Sequence, residues 1–164
     1  MNAFVIDVFE FSRVKERREG SVAVAEFSRL SEDCADNSGT LHWLLEGGTS
    51  KLGYPQLTLS VTGVVQLMCQ RCLTSYAFNV AAKSLLILAK NDESADEIDA
   101  LMDDDTIDVI VGTKEFNITD LIEDEALLAL PLSPRHEVCP DPAVLDAFQS
   151  KKESPFSALK DMKQ

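Results

Sequence analysis

From Gln56 to Met68 the chain alternates in a way that only an extended strand can use, with Leu57, Leu59, Val61, Gly63, Val65 and Leu67 on one face and Thr58, Ser60, Thr62 and Gln66 on the other. A strand of that length must twist or bulge, and Gly63 is the expected place. After a short break, Tyr76, Phe78 and Val80 begin a second extended run that continues through Leu85-Leu86-Ile87-Leu88. The two runs predict a long antiparallel ribbon, and whatever else the chain forms must pack on its apolar face.

The turn between the runs carries Cys69-Gln70-Arg71-Cys72. Two cysteines separated by two residues can place both sulfurs on one metal ion, but they make only half of a closed site. Pro134-Arg135-His136-Glu137-Val138-Cys139-Pro140 repeats that separation with His136 and Cys139 between stiffening prolines. Cys69, Cys72, His136 and Cys139 are therefore the candidate ligands of one structural zinc ion. Two other readings stay open. A redox dithiol would need a low-pKa thiolate, usually found at a helix N-terminus, whereas here Arg71 is the nearby cation and strands flank the pair. Reduced cysteines packed together without a metal are the third reading. Cys34, in a polar stretch with Asp33, Asp36 and Asn37, looks incidental.

A chain of 164 residues with four cysteines suits one reduced domain better than a disulfide framework. Its first residues turn acidic too soon for a signal peptide, and no apolar run reaches the length of a membrane span, so a cytoplasmic protein is expected. The net charge of −13 argues against a protein that coats nucleic acid with its whole surface. Eight of the acids lie within residues 91–105, which contain no base and read as a solvated acidic loop.

Elsewhere the pattern is shorter. Phe4 to Val8 reads as a strand, and Phe9 to Arg18 as a helix ended by Gly20. Its Arg13, Lys15, Arg17 and Arg18 form the densest cationic cluster, a candidate RNA or partner contact that Arg71 could join. Ser21 to Phe27 and Thr40 to Leu45 read as strands, the latter with Leu41, Trp43 and Leu45 inward and His42 outward. Strands are expected at Ile107 to Val111 and Glu115 to Ile118, followed by a helix capped by Thr119 and stopped by Pro131. Leu121, Ile122, Leu128 and Ala129 form its predicted buried stripe, and Glu125 within that stripe needs a partner. From Asp141 the composition turns polar, except where Ser154 and Pro155 can open a turn that presents Phe156 and Leu159 as a docking motif. No phosphate-cradling glycine loop, nucleophile elbow or metalloprotease helix occurs.

Taken in order, Cys69-Gln70-Arg71-Cys72, Glu123 to Pro131 running into Pro134 to Cys139, and Ser154-Pro155-Phe156 resemble the YceD family, the large ribosomal RNA subunit accumulation proteins. The resemblance covers nearly the whole chain. It implies a bacterial cytoplasmic protein, with plastid relatives, needed for normal accumulation of 23S ribosomal RNA, and it implies no catalytic activity. Cys69, Cys72 and Cys139 match family positions directly, whereas the separation of the histidine from the last cysteine is longer in some relatives.

The combined expectation is an α+β domain over residues 1–140. It has a bent, barrel-like antiparallel sheet with two covering helices, followed by a flexible tail over 141–164. The expected function is non-enzymatic support of the synthesis, processing or stability of 23S ribosomal RNA. Contact with that RNA would be direct or through a ribosomal protein or processing enzyme, with no membrane and no small-molecule substrate. The alternative is a thiol oxidoreductase or metal-handling protein acting through Cys69 and Cys72.

Overall fold

The computed structural model describes residues 4–140 and Phe156. Along the chain run β1 (Val5–Ile6), α1 (Val8–Arg13), β2 (Arg17–Ala23), a 3-10 turn (Val24–Glu26) and α2 (Ser28–Asp33). They are followed by β3 (Thr40–Thr49), β4 (Pro55–Met68), β5 (Ser75–Ala89), α3 (Asp92–Leu101), β6 (Ile107–Val111), β7 (Phe116–Asn117) and α4 (Ile118–Ala129). The architecture is α+β, with one five-stranded sheet in the order β2-β3-β4-β5-β6 and a separate β1-β7 pair.

The β4-β5 ribbon is the spine of the sheet, as the alternation requires. Leu57, Leu59, Val61, Val65 and Leu67 are each fully buried, and burial of such a side chain contributes about 1.5–3 kcal/mol. Of the twist or bulge expected at Gly63, a bulge is absent from the β4-β5 pairing, which runs unbroken from Gln56 with Ile87 to Met68 with Ser75. Gly63 is needed for close approach instead, because a Cβ there would lie 2.5 Å from the Thr40 carbonyl oxygen and 2.9 Å from Leu41 Cδ2. The inner faces of β3, β4 and β5 share one core with Val8 and Phe11 of α1, Leu30 of α2, and Ile118, Ile122 and Ala126 of α4.

Two expectations about the sheet are corrected. It is open rather than barrel-like, with β2 and β6 as the outer strands. It is also not wholly antiparallel, since β6 pairs with β5 in parallel, Leu85 opposite Ile107 through Ala89 opposite Val111. A parallel neighbour needs a crossover, and the acidic stretch supplies it by folding into α3 rather than remaining a loop. Asn91 and Ser94 form a reciprocal capping box at its start. Ile98 then closes a second small core with Ile87 and Ala89 on the opposite face of the sheet.

The N-terminal helix is shorter than its sequence pattern suggests. α1 ends at Arg13, Lys15 takes a left-handed φ of 53°, and Arg17 and Arg18 belong to β2. Gly20 ends no helix; it lies on β2 beneath the Trp43 ring, where a Cβ would be 3.1 Å from Cζ2. In α4 the cap is Asn117, whose side chain accepts from Thr119 N–H, rather than Thr119. The buried stripe is Ile118, Ile122 and Ala126, and Leu128 is 79% exposed. Of the expected tail only Phe156 is described, exposed to solvent; Leu159 lies outside the described residues.

Candidate metal centre

The ribbon ends where Leu67 pairs with Tyr76 and Met68 with Ser75, leaving a short turn that must carry both cysteines. Cys69 N–H donates to the Thr74 carbonyl at 2.9 Å, and Leu73 N–H donates to the Cys69 carbonyl at 2.8 Å. Leu73 takes φ of 58°, the left-handed conformation that closes the turn. Pro131 ends α4, and the segment after it crosses to this turn, where the Pro134 carbonyl accepts from Gln70 N–H at 2.8 Å. The Ser133 hydroxyl adds a bond to Gln70 Oε1 at 3.1 Å. These contacts place His136 and Cys139 against the cysteine pair.

The four candidate ligands converge. Their donor atoms lie within 4.8 Å of one another. Cys69, Cys72 and Cys139 are buried, and His136 is half-buried with its ring against Tyr76, centroids 4.9 Å apart. The Cys69 and Cys139 sulfurs are 3.9 Å apart, and Cys72 Sγ is 3.3 Å from His136 Nδ1. A tetrahedral zinc with Zn–S bonds of about 2.3 Å has sulfur–sulfur edges of about 3.8 Å and slightly shorter sulfur–nitrogen edges, so the residues fit that ion. A disulfide requires about 2.05 Å, and all four cysteines are free.

The surroundings act in opposite directions on Cys69 and Cys139. Burial raises the Cys69 thiol, but the backbone N–H groups of Cys72, His136 and Arg71, together with the His136 side chain, outweigh it and bring its pKa down to about 5. Burial pushes the Cys139 thiol up against the opposing effect of Arg71, and the neighbouring Cys72 and Cys69 push in the same direction as burial. Cys72 Sγ also meets Thr74 Oγ1 at 3.0 Å.

Arg71, the cation beside the cysteine pair, is engaged at the cluster. Its Nε donates to Cys139 Sγ at 3.1 Å and its Nη2 to the His136 carbonyl at 3.0 Å, so it ties the turn to the second pair of ligands. The other cations are not gathered on one helix face. Arg13 pairs with Glu10 on α1, and Arg17 pairs with Glu19 and Glu46. Arg18, on the other side of β2, meets Glu16 and lies over the Phe11 ring. Lys15 stands in the intervening turn. Cys34 is half-buried, apart from the four-residue cluster, and its thiol is raised by burial and by Asp33 and Asp36.

Glu123 and Glu125 are structural acids of opposite kinds. Glu123 accepts from Arg29 and Leu30 N–H at 2.7 and 3.0 Å and from the Arg29 guanidinium, so α4 caps α2 across the core. Burial opposes its charge, yet these donors hold its pKa below the usual range. Glu125 is buried beside Ser84 with Asp108 and Asp124 near, and burial raises its pKa. The sequence reading placed no helix at Ser28 to Asp33, so nothing in it paired Glu123 with that N-terminus.

No helix among the described residues is long and apolar enough to cross a membrane. Residues 57–163 match the family described as large ribosomal RNA subunit accumulation protein YceD. A Haemophilus influenzae protein named large ribosomal RNA subunit accumulation protein YceD is 33% identical, with 88% of this chain and 86% of that protein aligned. No solved structure matches the chain. The matched residues run from the buried row of β4 through all four members of the Cys/His cluster, and the chain belongs to the YceD family.

Proposed function

We propose that this protein is a non-enzymatic cytoplasmic factor supporting the synthesis, processing or stability of 23S ribosomal RNA, and that Cys69, Cys72, His136 and Cys139 hold one structural zinc ion. The name of the Haemophilus relative supports the first half of that reading. The second rests on one observation: four side chains able to bind a metal, three of them buried, bring their donor atoms within 4.8 Å of one another. A redox thiol must meet its partner in solution, whereas Cys69 is fully buried, so its depressed pKa suits a metal thiolate better than a nucleophile.

The contact with large-subunit RNA is direct or runs through a ribosomal protein or processing enzyme. Arg13, Arg17 and Arg18 each already face a carboxylate, and Arg71 is engaged at the Cys/His cluster, which favours a protein intermediary. Elemental analysis of untagged protein should find one zinc per chain. A strain lacking the protein should under-accumulate 23S relative to 16S ribosomal RNA and recover with the wild-type chain but not with Cys72→Ser. Absence of zinc refutes the metal assignment; an unchanged RNA ratio refutes the cellular role.

A further inference from the structure

Among the described residues the ribbon leaves a long stretch of backbone without a second strand. β5 pairs with β4 from Ser75 to Ile87, but on its other side β6 covers only Leu85 to Ala89. Among the described residues, Ser75 to Ser84 therefore have no strand partner on that side and present an open sheet edge. Natural sheets blunt such edges with charges or prolines. The opposite edge of the sheet, β2, carries Arg17, Arg18 and Glu19 within seven residues. Over residues 75–84 the only charge is Lys83.

Beside this edge lies a groove of about 820 Å³, with Tyr76 and Phe78 on one side and Pro131, His136 and Val138 on the other. Val138 is 84% exposed and both aromatics are only half-covered. The wall formed by His136 and Val138 is held in place by the Cys/His cluster. Acids outnumber bases around this edge. Glu137 and Arg135 both line the groove, while Asp103, Asp104 and Asp105 lead into β6, whose first residue lies opposite Leu85.

We infer that the open edge of β5 and its groove receive an extended, basic polypeptide segment that adds to the sheet as a strand in line with β6. A row of N–H and C=O groups with no strand partner among the described residues is complementary to another backbone, not to a phosphate chain. Alternate apolar side chains of the incoming strand would enter the groove over Tyr76 and Phe78, and its Lys or Arg residues would meet the flanking carboxylates. This deepens the reading above by naming the partner's chemistry. It also gives the Cys/His cluster a part in binding, since the cluster builds one wall of the groove.

The test uses the full-length, zinc-loaded protein with three probes: a capped peptide of alternating valine and lysine, its valine–glutamate counterpart, and oligouridylate. The valine–lysine peptide should slow amide hydrogen exchange across residues 75–84 by about tenfold or more and leave β2 unchanged, while the other two should not. Ala77→Lys with Ala81→Lys, both at exposed positions, should weaken that peptide by about tenfold through like charge without altering the melting temperature. No protection by the valine–lysine peptide, or protection by oligouridylate instead, overturns the proposal. So does protection that appears without peptide and grows with protein concentration, which would make a second copy the occupant. Zinc content measured on the same sample decides the metal assignment separately.

Discussion

Removing the metal should loosen the protein by an amount that the topology sets. The cluster joins Cys72 to His136, 64 residues later, and so closes a long loop that contains the return strand, the crossover helix and α4. Cross-linking a loop of that length withdraws conformational entropy from the unfolded chain worth about 4 kcal/mol at 25 °C in the chain-entropy treatment. For a domain of this size each kcal/mol moves Tm by about 2–4 °C. Contacts that survive metal loss, such as the Gln70 to Pro134 bond and the two Arg71 bonds, retain part of the closure. A fall of roughly 10 °C is therefore expected on stripping the metal with a high-affinity chelator. Calorimetry should show it, and re-addition of one equivalent of zinc should reverse it. Hydrogen exchange in the stripped protein should accelerate at residues 69–76 and 131–140 while the β3-β4 pairing keeps its protection. An unchanged melting temperature in protein shown to have lost its zinc would refute the clip, because the loop would then be held by packing alone.

Glu123→Ala strands the buried N–H of Leu30 and the partly buried N–H of Arg29 and should destabilise the fold by about 2–4 kcal/mol in urea titration, with α2 fraying first. Glu125 carries a raised pKa, so its contribution is most favourable below the unfolded value of about 4.3 and is lost as pH rises through the folded value. Glu125→Gln should accordingly raise Tm at pH 7 and leave it nearly unchanged at pH 4; equal shifts at both pH values would show that charge burial is not the cause. Arg71→Met should release zinc to a chromogenic chelator about 10–100-fold faster than wild type, as expected when a group that orients ligands is removed.

The ribbon was legible because period-two alternation is a local property, and the same alternation placed the cysteine turn at its end. The four members of the Cys/His cluster were legible because each pair carries its own spacing, although nothing local showed that the pairs meet. Three features lay beyond a local reading. Residues 9–18 have helical spacing throughout, but Arg17 to Ala23 are claimed by β3 over seven paired positions, and that pairing overrides propensity. The acids of α3 masked its short apolar stripe, which matters only because Ile87 and Ala89 lie beneath Ile98. Leu128 looked like core by composition, yet the stripe of Ile118, Ile122 and Ala126 turns it to solvent. At the site, the sequence placed Arg71 beside the cysteine pair but could not show that it bonds Cys139 and the His136 carbonyl.

The separation of the two ligand pairs also orders events during synthesis. Cys69 and Cys72 leave the ribosome 64 to 70 residues ahead of His136 and Cys139, which at ordinary elongation rates is a delay of roughly 3–14 s. The β4-β5 hairpin needs only neighbouring sequence and forms on a timescale of about microseconds. For several seconds, then, a nascent chain would display two thiols on a finished ribbon with no second pair to enclose a metal ion. Competition from cellular chelators would be greatest in that interval, and enclosure of the ion would mark the point at which the domain is complete.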